Sequence, residues 1–421
     1  MQLQTEALHA GYDKDTQSTM AVPIYQTTAY EFRDVEHAAN LFALKELGNI
    51  YTRLNNPTTD VFEKRFAQLE GGAAGLAGAS GMASIFYAIA NTAESGDNII
   101  CSRQVYGGTI TQASYTLKRF GIEARYFNAH NPEEIEALID DKTKAIFFET
   151  LTNPGIDVPD IEAITAIAKK HGILTIVDNT VATPVLCRPL EHGVDVVVHS
   201  ASKYTTGQGL AIGGIMVERH GLVDFIKGNA RYPQFNEPDE SYHGLVYVDV
   251  PLPLFTLRAR LSLLRDLGAV VSPFNSWLFI QGIETLSLRM REHSRNAQAV
   301  AEFLESHPMV KKVNYPGLKS NSNYLNAQRY FENGMASGLL SFEVESFEQA
   351  KQIVDATKLF SLVVNIGDSK SIITHPASTT HQQLSQEELI ACGVPSGLIR
   401  LSIGLEASED LIDDLKQAFG A

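Results

Sequence analysis

The sequence predicts an α/β chain in which a mostly parallel sheet, covered on both faces, is followed by a smaller α+β region. Three observations carry this. Between about residues 97 and 200, β-branched apolar runs alternate with stretches of helical spacing. Gly, Asn, Asp and Ser stand where those helices should start or stop. Beyond about residue 260 the pattern changes to a long helical stretch, then to strands and helices in looser order. Strands of a parallel sheet are buried on both faces, so they read as continuous apolar runs separated by helices.

The elements follow in order. Residues 1 to 57 form a polar arm with little periodicity. Gly78-Ala79-Ser80-Gly81-Met82-Ala83-Ser84 leads into an apolar helix from Ile85 to Ala90, with Ser80 as a candidate N-cap. Asp97 to Cys101 reads as a strand, Thr109 to Phe120 as a helix ended by Gly121, and Glu123 to Phe127 as a strand. Asn131-Pro132-Glu133-Glu134 should open the next helix with an N-cap, a proline at the first helical position and acids in the first turn. Lys144 to Glu149 is a strand again, and Asp160 to His171 a helix closed by Gly172. Ile173 to Val177 and Val194 to Val198 are further strands. Tyr232 to His243 is irregular, and Phe274 to about His307 is helical. Leu339 to Glu343, Phe347 to Leu359, Leu398 to Ile403 and a last helix from Ser408 complete the chain. The expected units are an arm over 1–57, a domain over 58–260 and a C-terminal domain over 261–421.

The chain has 421 residues with 34 Lys+Arg against 49 Asp+Glu, a net charge of −15. That length suits two or three domains and a buried cofactor. An acidic chain without a basic, aromatic-interleaved stripe excludes a sequence-wide nucleic-acid surface. Cys101, Cys187 and Cys392 lie far apart, which excludes a disulfide framework and a cysteine-rich zinc site. The first residues lack the basic and apolar regions of a signal peptide, and no apolar run reaches the ~18–20 residues that span a bilayer. The expectation is a soluble cytoplasmic protein without a membrane or nucleic-acid partner. His243, His375 and His381 do not by themselves require a metal.

Ligands of open parallel sheets collect beyond the carboxyl ends of the strands, and three features fall there. The turn around Ser80 and Gly81 offers free helix-start amides to an anion, although capping and tight packing also produce such turns. Gly75, Gly78 and Gly81 lack the spacing of a dinucleotide fingerprint. Asp178 follows the strand Ile173 to Val177, four of whose five residues are apolar, and a carboxylate there is costly unless a cation meets it; an isolated loop acid reads the same way. His199-Ser200-Ala201-Ser202-Lys203-Tyr204 follows a buried strand, so Lys203 is either a nucleophilic amine of lowered pKa or a snorkelling surface lysine. Together the three fit pyridoxal phosphate, which needs a Schiff-base lysine, an acid for the pyridine nitrogen, and amides with hydroxyls for its phosphate. Asp178 and Lys203 lie 25 positions apart on successive strand ends, matching opposite ends of one ring.

The sequence also resembles the cystathionine γ-synthase/methionine γ-lyase family of pyridoxal-phosphate enzymes of cysteine and methionine metabolism, over nearly its whole length. The matching stretches are Tyr51 to Thr58, Ser80 to Ala83, Tyr106 to Thr109, Val177 to Thr180, Ser200 to Tyr204 and Arg400 to Gly404. The resemblance implies an aspartate-aminotransferase-like fold, fold type I. It implies that Lys203 forms the Schiff base, that Asp178 pairs with the pyridinium, and that Tyr106 stacks on the ring. Gly81, Met82, Ser200 and Ser202 would hold the phosphate, and Asn153 would lie near the phenolic oxygen. Arg400 would clamp the substrate α-carboxylate, with Asn365 and Tyr51 also toward the substrate. Tyr51 and Arg53 would reach the phosphate of a neighbouring subunit, which implies active dimers and a homotetramer.

Leu41 to Ile50, Glu237 to Gly244, Asn365 to Lys370 and His375 to His381 are similar to the O-acetylhomoserine sulfhydrylase branch. Methionine γ-lyases carry a Cys where this chain has Gly108, and several cystathionine enzymes an acid where it has Val364. The expected reaction is γ-replacement: O-acetyl-L-homoserine with sulfide (or methanethiol) gives L-homocysteine (or methionine) and acetate, the partners being small molecules of the O-acyl homoserine and sulfide or thiol classes. Cystathionine γ-synthase and methionine or cystathionine γ-lyase activities are the alternatives within the family. A non-catalytic amino-acid sensor predicts loss of the lysine or the acid, and both are present. A nicotinamide oxidoreductase needs the fingerprint that is absent.

Overall fold

The computed structural model describes residues 1–379 and 394–420. Thr380, His381 and Cys392 lie outside the described residues.

Seven strands form the first sheet: β1 (Ala74–Gly78), β2 (Asn98–Ser102), β3 (Glu123–Phe127), β4 (Thr143–Glu149), β5 (Leu174–Asp178), β6 (Val196–Ser200) and β7 (Gly214–Glu218). Their order is β1-β7-β6-β5-β4-β2-β3. Only β7 runs against the rest, pairing antiparallel with both β1 and β6. The expected parallel core is therefore present, and its central residues are fully buried on both faces, among them Phe148, Ile176 and Val197. Five strands form the second sheet: β8 (Lys312–Asn314), β9 (Leu339–Glu343), β10 (Ser361–Leu362), β11 (Ile372–Thr374) and β12 (Leu398–Ser402), in the order β10-β11-β12-β9-β8.

Two strands lie outside the expected set: β1, where glycine and alanine replace bulk at a close backbone approach, and β7, an apolar run Ile215-Met216-Val217 opened by Gly214. A Cβ on Gly75 would lie 2.8 Å from the Glu63 carbonyl, and one on Gly214 would lie 2.3 Å from the Ser80 carbonyl. The helix expected after Asn131 is instead a 3-10 segment, Pro132–Leu138, without a side-chain cap. Glu134 explains this locally: its Oε2 accepts from the Asn128 amide at 3.0 Å and holds the entry turn closed. The helical region before His307 is two helices, Pro273–Glu284 and Leu286–Ser306, separated at Thr285. The arm, expected to be irregular, carries the helices Leu3–His9 and Val35–Phe42, the second capped by Asp34.

Two features position the site. Helix Pro57–Glu70, N-capped by Asn56, packs on Pro273–Glu284 through Phe62 and Phe279, whose ring centroids are 5.1 Å apart. Helix Leu286–Ser306 then ties the two sheets together. Arg289 donates to the carbonyls of Tyr204 and Gly282, at 2.7 and 2.6 Å, and His293 Nδ1 meets the Ile403 carbonyl at 2.7 Å. The helix thereby links the segment after β6 to the segment after β12. Burial drives the His293 pKa down to about 4, so the ring is neutral in this joint.

Candidate active site

The carboxyl ends of β1, β2, β4, β5 and β6 converge on one cavity of about 280 Å³. Gly81, Met82, Tyr106, Asn153, Asp178, Ser200, Ser202, Lys203, Asn365 and Arg400 all line it. These residues reach it from both sheets, so the cavity is a product of the tertiary fold.

One end suits an anion. Ser80 caps helix Gly81–Ala90 by accepting from the Ala83 amide at 3.1 Å. The amides of Gly81 and Met82 belong to the first turn, whose N–H groups cannot find carbonyls within the helix. Ser200 and Ser202 face them from the end of β6, and Ser202 Oγ also bridges to the Gly213 backbone at 3.0 and 3.2 Å. A Cβ on Gly81 would sit 2.7 Å from Ser200 Cβ and 2.9 Å from Ser200 Cα. Gly81→Ala is therefore expected to push the helix start from the strand end at a cost of about 1–3 kcal/mol. Denaturant unfolding of the cofactor-free protein measures this, and an unchanged midpoint would refute the close approach.

Lys203 Nζ donates to Asn365 Oδ1 at 2.6 Å. Burial, and then the charge of Arg400, lower the lysine pKa, so the nucleophilic neutral amine is available at lower pH than for a free lysine. Asp178 Oδ1 accepts from the Thr180 amide at 2.9 Å. Burial raises its pKa, opposed by the Thr180 hydrogen bonds and by His199. A cation placed beside it would hold it ionised.

Arg400, on β12, is 5% exposed. Its Nη1 donates to Asn153 Oδ1 at 2.9 Å and its Nη2 to the Asn365 carbonyl at 3.2 Å. Burial brings its pKa down to about 10, which leaves it charged at neutral pH. Tyr106 stands at the mouth, 45% exposed, with an N–H bonded to Glu149.

Two expected residues do not reach this chain's own cavity. Arg53 donates to the Arg265 carbonyl and lies 5.7 Å from the Tyr51 ring centroid, and neither side chain lines the pocket. Of the suggestive histidines, His375 is a packing residue: its nitrogens meet Ser378 Oγ at 2.8 Å and the Ser396 carbonyl at 2.7 Å. His243, in a left-handed turn, lines a separate shallow cavity where Tyr242 donates to the Phe42 carbonyl at 3.1 Å. The stretches Leu41 to Ile50 and Glu237 to Gly244 thus meet each other.

Glu149 is the one charged lining residue absent from the expected set, which also lacks apolar lining such as Leu151, Val181 and Ile212. The signal for Glu149 was present, since it follows the apolar run Ala145-Ile146-Phe147-Phe148 as Asp178 follows its own.

The donor set fits pyridoxal phosphate: amides and hydroxyls at one end, a buried carboxylate, and a lysine of lowered pKa beside an arginine. A fold-type-I sheet with such a site defines a pyridoxal-phosphate enzyme. The chain belongs to the Cys/Met metabolism PLP-dependent enzyme family, whose model matches residues 4–420. It is 48% identical over 426 residues to the O-acetyl-L-homoserine sulfhydrylase of Leptospira meyeri, covering 99% of this chain and 96% of the relative. It is 45% identical to O-acetyl-L-homoserine sulfhydrylase 1 of Thermus thermophilus, covering 99% and 100%. Among solved structures it is similar to a Campylobacter jejuni protein described as an O-acetylhomoserine (thiol)-lyase. That similarity has a TM-score of 0.98 and 56% identity and covers all of both chains, and the other protein carries N′-pyridoxyl-lysine-5′-monophosphate at its position 205. The metB structure from Corynebacterium glutamicum follows at TM-score 0.85 and 32% identity, covering 100% of this chain and 98% of that one.

Proposed function

We propose that the chain catalyses γ-replacement on O-acetyl-L-homoserine, with sulfide or methanethiol as the incoming nucleophile. The observation that carries this is the pairing of Lys203 and Arg400 in one cavity, on a chain whose relatives of that name match it from end to end. Lys203 is also the one lysine between Lys170 and Lys227, which supports it as the counterpart of the modified lysine in the Campylobacter jejuni protein.

Bound pyridoxal phosphate supplies an electron-withdrawing ring conjugated to the substrate α-carbon. Gly81, Met82, Ser200 and Ser202 hold its phosphate, and Asp178 keeps the ring nitrogen protonated. Tyr106 covers the ring; Gly108 leaves room for it, because a Cβ there would meet the tyrosine ring at 2.5 Å. Asn153, with Oδ1 already given to Arg400, has its amide nitrogen left for the phenolic oxygen. Arg400 binds the α-carboxylate through a planar fork, and Asn365 orients the amine of Lys203. Neutral Lys203 Nζ takes the proton from Cα and then one from Cβ. The Cγ–O bond breaks to release acetate, a Cγ–S bond forms, and the protons return to Cβ and Cα. No net oxidation occurs.

Tyr51 and Arg53 are assigned to the phosphate, and Tyr51 also to the substrate, of a neighbouring copy; their distance from this chain's own cavity supports that reading. Active dimers assembled as a homotetramer follow from it, with units at 1–57, 58–260 and 261–421. No helix among the described residues is long and apolar enough to cross a membrane, and the proposed location is the cytoplasm.

Product analysis tests the activity. Purified protein given O-acetyl-L-homoserine and sulfide is expected to yield homocysteine and acetate in equal amounts. Ammonia and 2-oxobutanoate as the only products would make the chain a γ-lyase.

A further inference from the structure

Glu149 ends β4 as Asp178 ends β5, and the two are cross-strand partners in the parallel pair. Glu149 is 4% exposed, lines the cavity, and has no part in the steps above. Its two oxygens are divided between two loops. Oε1 accepts the Tyr106 N–H at 2.7 Å, and Oε2 accepts the Asn153 N–H at 3.2 Å. Asn153 Oδ1 in turn accepts from Arg400 Nη1 at 2.9 Å. One hydrogen-bonded line therefore runs from the residue that covers the ring to the residue that clamps the carboxylate.

A buried carboxylate here is costly. Desolvation and the neighbouring charge of Asp178 push its pKa up, while the Tyr106 and Asn153 N–H bonds favour the ionised form and pull against them. An amide side chain would avoid that cost but has only one acceptor oxygen, whereas the site presents two backbone N–H donors from different loops. Tyr106 begins a short helical turn with no side-chain cap of its own, so Glu149 supplies the bond that fixes its backbone. An orphaned amide at either loop would carry the penalty of an unmade buried hydrogen bond.

We propose that Glu149 is a positioning residue that sets Tyr106 and Arg400 against a common reference, fixing the carboxylate clamp relative to the cofactor ring. The proposal rests on the reading of Tyr106 and Arg400 given above and extends it to a residue that touches neither substrate nor reaction. Its signature is specific: loosening Asn153 should weaken ligands that use the clamp more than ligands that do not.

The test uses the holoenzyme and two probes without a γ-leaving group, L-norvaline and L-norvalinamide, which differ in the carboxylate. Binding of each is followed through the visible absorption of the cofactor. In Glu149→Gln the dissociation constant for norvaline is expected to rise about tenfold, and that for norvalinamide less than about twofold. Glu149→Asp, with both acceptors drawn back by one methylene, should change the norvaline-to-norvalinamide preference in the same direction by a smaller factor. It carries the comparison if the Gln variant does not fold. A preference unchanged in a folded variant, or an equal loss for both probes, would overturn the proposal. Absence of a visible band in the unsubstituted protein would overturn the cofactor reading, and this inference with it.

Discussion

Lys203→Ala should fold, bind the cofactor without a borohydride-reducible link, and turn over at least about 10³-fold more slowly than the native chain. In the proposed reaction the lysine is both the attachment point and the base for both carbon protons, so no single neighbour would replace it. Its hydrogen-bond partner Asn365 is neutral, and Arg400, whose charge it feels, is a cation at neutral pH, so neither serves as a base. Stability should move differently from activity. The folded cofactor-free chain holds Lys203 with a lowered pKa, so the unfolded chain binds the proton more tightly. Stability of the native chain therefore carries a deficit below the folded pKa of this lysine, and it recovers as pH rises toward the unfolded value. The alanine variant lacks that deficit. Its thermal midpoint, relative to native, should be higher at neutral pH than near pH ~10. Reduction with borohydride followed by mass analysis decides the first claim: a native yield of adduct in the variant would remove Lys203 from its role.

Asp178→Asn is expected to slow the reaction by about 10²–10⁴-fold while leaving the cofactor bound. Losing one partner of a buried ion pair costs about 3–5 kcal/mol, and each 1.36 kcal/mol is about tenfold in rate. The substitution is clean because asparagine keeps the Oδ1 acceptor that meets the Thr180 amide at 2.9 Å. What disappears is charge, at a position where burial already disfavours it. Exchange of the α-proton of norvaline in heavy water, followed by NMR, isolates the step the ring nitrogen assists. An exchange rate within tenfold of native would show that Asp178 is not that nitrogen's partner.

The parallel core was readable because its strands are buried on both faces. Runs such as Ile173 to Val177 leave no polar face to confuse with a helix, and β3 and β9 fall on their expected residues. Strand β1 was not readable, since close approach of the Glu63 carbonyl selects glycine there and leaves no β-branched signal; β7 keeps the apolar run Ile215 to Val217, which the same rule marks as a strand. In the site, Lys203 and Asp178 stood out as charges placed at the ends of apolar strands. Glu149 obeys the same rule and was passed over because no motif drew attention to it. Arg400 came only through family resemblance. Its contact with Asn153 spans 247 positions and that of Lys203 with Asn365 spans 162, and no local pattern records such a meeting.

The joining of two sheets at one cavity bears on how the enzyme matures. In the proposed site the phosphate and ring contacts made within one chain come from residues 81 to 203, with Tyr51 and Arg53 added by a neighbouring copy, but Arg400 and Asn365 arrive from the last fifth of the chain. A nascent or truncated polypeptide ending before β12 lacks the clamp, so any cofactor it captured would sit in a half-built pocket. Once complete, the pocket is held by both sheets, and a ligand that binds only this state stabilises their union in proportion to its affinity.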